Sequence, residues 1–203
     1  MNMDVKEYFD MLAEKWDEIV WHAPEKLNKI IEKIQLKIGD KVLDVGCGTG
    51  VLVEYILKSV GQQGSYLGVD ISEKMIEKAK EKYKGIENVD FVCSDATELF
   101  FREHFDAIIC YSVFPHIQDK EMAVKKFSQM LKEGGRLAIA HSESRDKINS
   151  LHKNLPEPVK SHFLPPMSKI INMCQNAKLK IVCSIDSSEM FLLIARKTNI
   201  NDV

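Results

Sequence analysis

Several features are scarce or missing in this chain of 203 residues, and each absence closes off a class of function. The five cysteines, Cys47, Cys93, Cys110, Cys174 and Cys183, are odd in number and scattered. With no C-x-x-C pair among them they form neither a disulfide framework nor a zinc ribbon. Three lie in apolar runs, where a thiol behaves as a small buried hydrophobe. No run approaches the ~18 apolar residues of a membrane span. The first residues, Met1-Asn2-Met3-Asp4-Val5-Lys6-Glu7, have no apolar signal-peptide core, so a reducing cytoplasm is the expected location. A surplus of one charge is also missing: 28 Lys and Arg stand against 30 Asp and Glu, a net charge of -2. Without a basic excess to displace counterions from phosphates, the composition gives no support to nucleic-acid binding.

What is present describes an ordinary soluble protein, 45% hydrophobic and 29% charged. The length suits one domain of roughly 100–200 residues. There is no internal repeat. Short apolar runs alternate with helical patterns, as in a parallel sheet with crossover helices. Leu27, Ile30, Ile31 and Ile34 recur on one helical face, with Pro24 opening the helix and Gly39 following it. Lys41 to Val45 is a first strand running into a glycine loop, followed by a helix over about 50–60 that ends at Gly61. Tyr66 to Asp70 is the second strand, and Ser72 caps a helix through Lys82. Val89 to Cys93 and Asp106 to Cys110 are the third and fourth strands. A helix bearing Ala123, Phe127, Met130 and Leu131 closes at Gly134-Gly135, and Arg136 to Ala140 is the fifth strand. The polar stretch 142–166, with four prolines, breaks the rhythm and reads as an insertion over the sheet's C-terminal edge. A helix from about Met167 to Ala177 precedes a terminal hairpin, Leu179 to Ile185 and Met190 to Arg196.

The chemistry concentrates in the loop Asp44-Val45-Gly46-Cys47-Gly48-Thr49-Gly50. Glycine lets the backbone approach a ligand closely, and a helix N-terminus aims unpaired amides at it. A dinucleotide fingerprint G-x-G-x-x-G would need glycine where Val51 stands. Asp70, 20 residues past Gly50, can accept hydrogen bonds from both ribose hydroxyls of an adenosine ligand. Asp95, just after the third strand, can accept a bond from an adenine amino group.

Val42 to Gly50 resembles motif I of the class I S-adenosylmethionine-dependent methyltransferases. Leu67 to Ser72 with Met75 and Ala79 is similar to their second motif, Val89 to Ala96 to the third, Phe105 to Cys110 to the fourth and Leu131 to Leu137 to the strand-five motif. Tyr8-Phe9 and Ala13 to Asp17 look like the N-terminal segment of the ubiquinone/menaquinone-type branch. The match covers roughly residues 40–140 in order. The resemblance implies an α/β, Rossmann-like three-layer sandwich whose seven-stranded, mostly parallel sheet has the order 3-2-1-4-5-7-6, strand 7 antiparallel. It implies one domain over 1–203, with a helical lid at 1–37 and the insertion at 142–166 over the active site. S-adenosylmethionine would lie on Gly46, Cys47, Gly48 and Gly50, with Asp44 fixing the loop. Asp70 would take the ribose, Ile71 the adenine face and Asp95 its amino group. Met75, Ala96 and Trp16 would complete the cofactor site, and Cys110 and Tyr111 would face the methyl donor or its acceptor.

Methyl transfer is an in-line displacement in which positioning supplies ~7–11 kcal/mol. A base is required only when the acceptor loses a proton. His116, past the fourth strand, and His141, ending the fifth, stand where open α/β sheets bind ligands and are the candidate catalytic residues. Arg145, Asn149 and His152 add polar groups in the insertion. Cys110-Tyr111-Ser112-Val113 lacks the (D/N/S)-P-P-(Y/F) motif of DNA amino-methyltransferases, Phe114-Pro115-His116 lacks a Pro-Cys nucleophile, and no Asp ends the fourth strand to bind magnesium. The expectation is a metal-independent enzyme, monomer or homodimer, acting on a small molecule. The competing readings are a non-catalytic S-adenosylmethionine-binding protein and an NAD(P)-dependent oxidoreductase.

Overall fold

The computed structural model describes residues 3–198. Seven strands form one sheet: β1 Lys41–Val45, β2 Ser65–Asp70, β3 Val89–Cys93, β4 Phe105–Tyr111, β5 Leu131–His141, β6 Leu179–Asp186 and β7 Phe191–Lys197. Their order is β3-β2-β1-β4-β5-β7-β6, the order the motifs imply. Strands β1 to β5 pair in parallel, and β7 runs antiparallel between β5 and β6. The helices are α1 Val5–Leu12, α2 Trp16–Ile19, α3 Pro24–Ile34, α4 Val53–Val60, α5 Glu73–Lys82, α6 Lys120–Met130, α7 Arg145–Lys153 and α8 Met167–Asn176.

Alternation along each strand sends neighbouring side chains to opposite faces of the sheet. Ile109, Tyr111, Ala138 and Ala140 therefore join one core with Leu27, Ile30 and Ile34 of α3 and Ile56 of α4. Ile108, Cys110, Leu137 and Ile139 join the other with Phe127 of α6 and Ile170 of α8. Cover on both faces explains why the central strands are near-continuous apolar runs.

Most predicted elements fall within a residue or two of their structural ends, and three differ. The helix after the glycine loop starts at Val53, because residues 50–52 are still turning. Strand β5 begins at Leu131, so Gly134-Gly135 lies inside the strand and not between helix and strand. Its register on β4 shifts between Phe105 and Ala107. Gly134 has φ of 76° there, and a Cβ on Gly135 would sit 2.9 Å from the Lys132 carbonyl, so the pair makes an irregularity that only glycine fits. Finally, the stretch 142–166 holds the helix α7, capped by Ser144, whose hydroxyl accepts from the Lys147 amide. The helix went unread because it has no apolar stripe; only His152 in it is buried.

Candidate active site

The glycine loop follows from backbone requirements. Gly46, Gly48 and Gly50 have φ of 67°, 54° and 87°, values that L side chains rarely adopt. A Cβ on Gly46 would come within 2.2 Å of Val113 and one on Gly50 within 2.7 Å of Tyr83, so neighbouring chain packs where side chains would be. A Cβ on Gly48 would instead point at the Trp16 indole nitrogen, 3.6 Å away. Trp16 thus lies close over the loop, and the three glycines form a backbone cradle beneath it.

Beneath the loop Asp44 is buried, accepting from the Tyr66 hydroxyl at 2.8 Å. Burial raises its pKa to about 7, the Tyr66 bond opposing and the charge of Asp70 adding to the rise. Cys47 turns inward, its thiol pushed well up by burial, which makes it a packing residue and not a nucleophile. Asp70 closes the loop: its carboxylate accepts from the Gly48 amide at 2.9 Å and from the Ser72 amide at 2.9 Å. Burial raises its pKa, and those two amides pull it back. Two carboxylate oxygens offer about four acceptor sites, so lone pairs remain on Asp70 for further donors. Asp95 caps a short 3-10 turn, accepting from the Thr97 amide at 2.7 Å and hydroxyl at 2.8 Å through one oxygen. Ile71 is half-buried, whereas Met75 and Ala96 are interior.

Strand alternation separates two residues that the sequence grouped. Cys110 points into the core under α6, away from the cleft. Tyr111 points to the other face, where its hydroxyl meets Ser142 Oγ at 3.0 Å and His22 Nδ1 at 2.9 Å. His22 escaped sequence reading because it lies between helices with no period.

The N-terminal helices close over the loop. Asp10 accepts from the Ser72 hydroxyl at 2.6 Å and the Lys74 amide at 3.2 Å. Asp17 accepts from Thr49 and pairs with Lys82 at 3.1 Å, and Glu14 pairs with Lys78 at 2.8 Å. Phe9 joins this roof to the far side of the site: its ring lies 5.6 Å from Trp16 and 5.2 Å from His116. Two surface depressions of about 250 and 270 Å³ border the roof, lined by α1–α5 residues such as Asp17 and Lys82. Neither is the cradle itself.

Past β4 and β5 four histidines gather. His116 Nδ1 is 3.0 Å from His162 Nδ1, and the His116 ring lies 5.1 Å from that of His152. His152 Nδ1 donates to the carbonyl of His162. His141 is buried at 1% exposure, and neither ring nitrogen has a hydrogen-bond partner among the described residues. Burial drops its pKa to about 3, His152 adding to the fall. His116 is held well below the usual range by burial, then by His152 and His162. The rings of His116 and His141 are therefore neutral at physiological pH. Among the described residues no group of three or more His, Cys, Asp or Glu is arranged to hold a metal ion.

Residues 42–135 match the family described as a methyltransferase domain. The demethylmenaquinone methyltransferase of Staphylococcus aureus is similar to this chain, 34% identical over 137 residues, 64% of this chain and 57% of that protein. The chain thus spans little more than half the length of this relative. The likeness in fold extends beyond the matched segment. An S-adenosylmethionine-dependent methyltransferase from Aquifex aeolicus superposes with a TM-score of 0.73 at 21% identity, over 93% of this chain and 98% of that one. Phosphoethanolamine N-methyltransferase 2 of Haemonchus contortus, in complex with S-adenosyl-L-methionine, gives 0.75 at 17% identity, over 97% of this chain and 59% of that one. At those identities the likeness is one of fold.

Proposed function

We propose that this protein transfers a methyl group from S-adenosylmethionine to a small, uncharged acceptor that gives up a proton. The observation that carries the reading is the cradle: three positive-φ glycines under Trp16, with Asp70 at its adenosine end. When bound, S-adenosylmethionine supplies a methyl group activated by a sulfonium. In this assignment Gly46 to Gly50 hold the methionine part by backbone amides, Asp70 the ribose, Ile71 and Asp95 the adenine. Trp16 and Phe9, on the segment within 1–37, act as a lid that excludes water. Asp44, Cys47, Met75, Ala96 and Cys110 shape the site from behind, because their side chains are buried.

His116 serves as the base, and the unpaired ring of His141 offers the acceptor a hydrogen bond. An unpaired buried polar group costs ~1–3 kcal/mol, which an acceptor hydroxyl would relieve. Neutral imidazoles and aromatic walls favour a neutral aromatic hydroxyl compound over a carboxylate or an ammonium. A quinol, the two-electron reduced form of the quinone class in the name of the Staphylococcus aureus relative, meets that description. Among the described residues no helix is long and apolar enough to cross a membrane.

Calorimetry tests the donor half. Asp70→Ala is expected to weaken S-adenosylhomocysteine binding at least tenfold, ~1.4 kcal/mol, in a folded variant. Unchanged affinity removes Asp70 from the site, and tight NADH binding without S-adenosylhomocysteine binding makes the protein an oxidoreductase.

A further inference from the structure

The sequence singles out His116 and His141, but the structure adds two histidines from the stretch 142–166, and they are held in place with care. Helix α7 grips the segment that carries His162 from both sides. One turn of it presents Asn149, which donates to the Leu164 carbonyl at 3.1 Å and accepts from the Leu164 amide at 2.7 Å. The next turn presents His152, which donates to the His162 carbonyl. Between these clamps Phe163 points outward and His162 inward, half-buried, onto His116.

The turn that carries His116 is gripped in the same manner. Lys120 donates to the carbonyls of Pro115 at 3.0 Å and Ile117 at 2.6 Å, on either side of His116. The His116 amide itself donates to the Val113 carbonyl at 2.8 Å. Both partners of the 3.0 Å Nδ1 to Nδ1 contact are therefore fixed by their backbones. At that distance one ring must be protonated at Nδ1 and the other bare, since two bare nitrogens would repel and two N–H groups would clash. The tautomer of His152 is fixed separately, because a carbonyl only accepts: its proton is on Nδ1.

We propose that His116 and His162 form a two-imidazole proton exit from the acceptor site, with His152 and Lys120 as its positioning residues. The proposal rests on the methyl-transfer reading and names how the acceptor's proton leaves. In the balanced step, the acceptor A–H loses its proton to His116 Nε2. The bond from the methyl carbon to the donor sulfur breaks with its electron pair going to sulfur, and the bond from A to the methyl carbon forms. His116 Nδ1–H passes to the bare Nδ1 of His162, and His162 Nε2–H is lost to water. One proton leaves per methyl transferred, and no charge is left buried on His116. After product leaves, His116 Nε2–H is lost to water, His162 Nδ1–H returns to His116 Nδ1 and His162 Nε2 takes a proton from water. Both starting tautomers are restored with no net proton change. That release matters because desolvation works against an imidazolium there. The charged and titratable groups facing the pair are His141, His152 and Lys120 around His116, and Lys120, His152 and Glu157 around His162. Apart from Glu157, which lies on the solvent side with His162, none of them would hold a proton on His116.

Two measurements on the full chain test this. Long-range nitrogen–proton NMR of the histidine rings is expected to show His152 protonated at Nδ1, and only one of His116 and His162 protonated there. If both His116 and His162 are protonated solely at Nε2, no proton bridges them and the exit does not exist. In the second measurement 1,4-naphthohydroquinone is the acceptor probe, ethanolamine the amine control, and S-adenosylhomocysteine formation the readout. The hydroquinone is expected to be methylated. His162→Gln should lower kcat by about 100-fold, the lower end of what a lost proton-transfer group costs, with KM within about twofold. His162→Ala should regain part of its rate when imidazole is added, which a purely structural histidine would not show. Variants of unchanged thermal midpoint that turn over like the wild type overturn the proposal. So does turnover of ethanolamine alone, or no turnover of the hydroquinone while S-adenosylhomocysteine binds. Failure to bind S-adenosylhomocysteine at all would instead overturn the methyl-transfer reading beneath it.

Discussion

His141 carries an imidazole into the interior of the sheet's C-terminal end, where nothing among the described residues bonds to either nitrogen. Its folded pKa of about 3 lies below the ~6.5 of an exposed histidine. Between those values the unfolded chain binds the extra proton, so stability rises with pH across that window. The contribution is fully present above about 6.5 and is lost as pH falls toward 3, at up to ~1.4 kcal/mol per pH unit. Asp44 acts in the opposite direction: its raised pKa gives stability at low pH that is lost as pH rises through about 7. A difference between two variants therefore reports on His141 where one raw curve does not. Urea unfolding at pH 7 and pH 5 is expected to cost the wild type ~2 kcal/mol more than His141→Leu, for about 1.5 pH units of the window. Parallel losses would mean that His141 is already bonded or solvated in the folded state.

At the scale of elements, the segment that carries α1 and α2 is attached to the sheet by polar ties and by the aromatic contacts of Phe9 and Trp16. Asp10 holds the first turn of α5, Asp17 holds Thr49 and Lys82, and Glu14 holds Lys78. No residue of α1 or α2 is buried. Exposed ion pairs are worth ~0–1 kcal/mol each, so this roof can open without unfolding the core. Replacing Asp10 and Asp17 together with Ala is expected to speed amide hydrogen exchange over residues 4–19. The thermal midpoint should move by no more than about 4 °C, the shift that ~1 kcal/mol makes in a chain this size. Unchanged exchange would show that the aromatic contacts of Phe9 and Trp16, and not the carboxylates, hold the roof down. The same scale explains what the sequence revealed. Strands such as Val89–Cys93 and the Ser72-capped helix were legible because alternation and caps are local signals. The helix α7 was not, since it packs through polar clamps at Asn149 and His152, and these follow no apolar period. His162 was missed for the same reason: only the convergence of α7 with the turn after β4 gives it a role. Cys110 was grouped with Tyr111 by proximity in sequence, whereas the pleat sends them to opposite faces.

For the molecule as a whole, the fold was legible from the order of five motifs, and the sheet order β3-β2-β1-β4-β5-β7-β6 agrees with it. The glycine loop and Asp70 were legible because they are built from backbone and from residues near strand ends. The histidine cluster was legible only as His116 and His141, because it is assembled from three separate stretches of chain. A fold of this kind hosts many chemistries, so activity has to be argued from the cradle and the histidines that border it. The account's central claim is that the cradle binds the methyl donor with its reactive end toward those histidines. A crystal structure grown with S-adenosylhomocysteine tests that claim most directly. The expected result places the ribose hydroxyls on Asp70, the amino-acid part along Gly46–Gly50 and the sulfur facing His116. A ribose away from Asp70, or a sulfur turned from the histidine cluster, would contradict it.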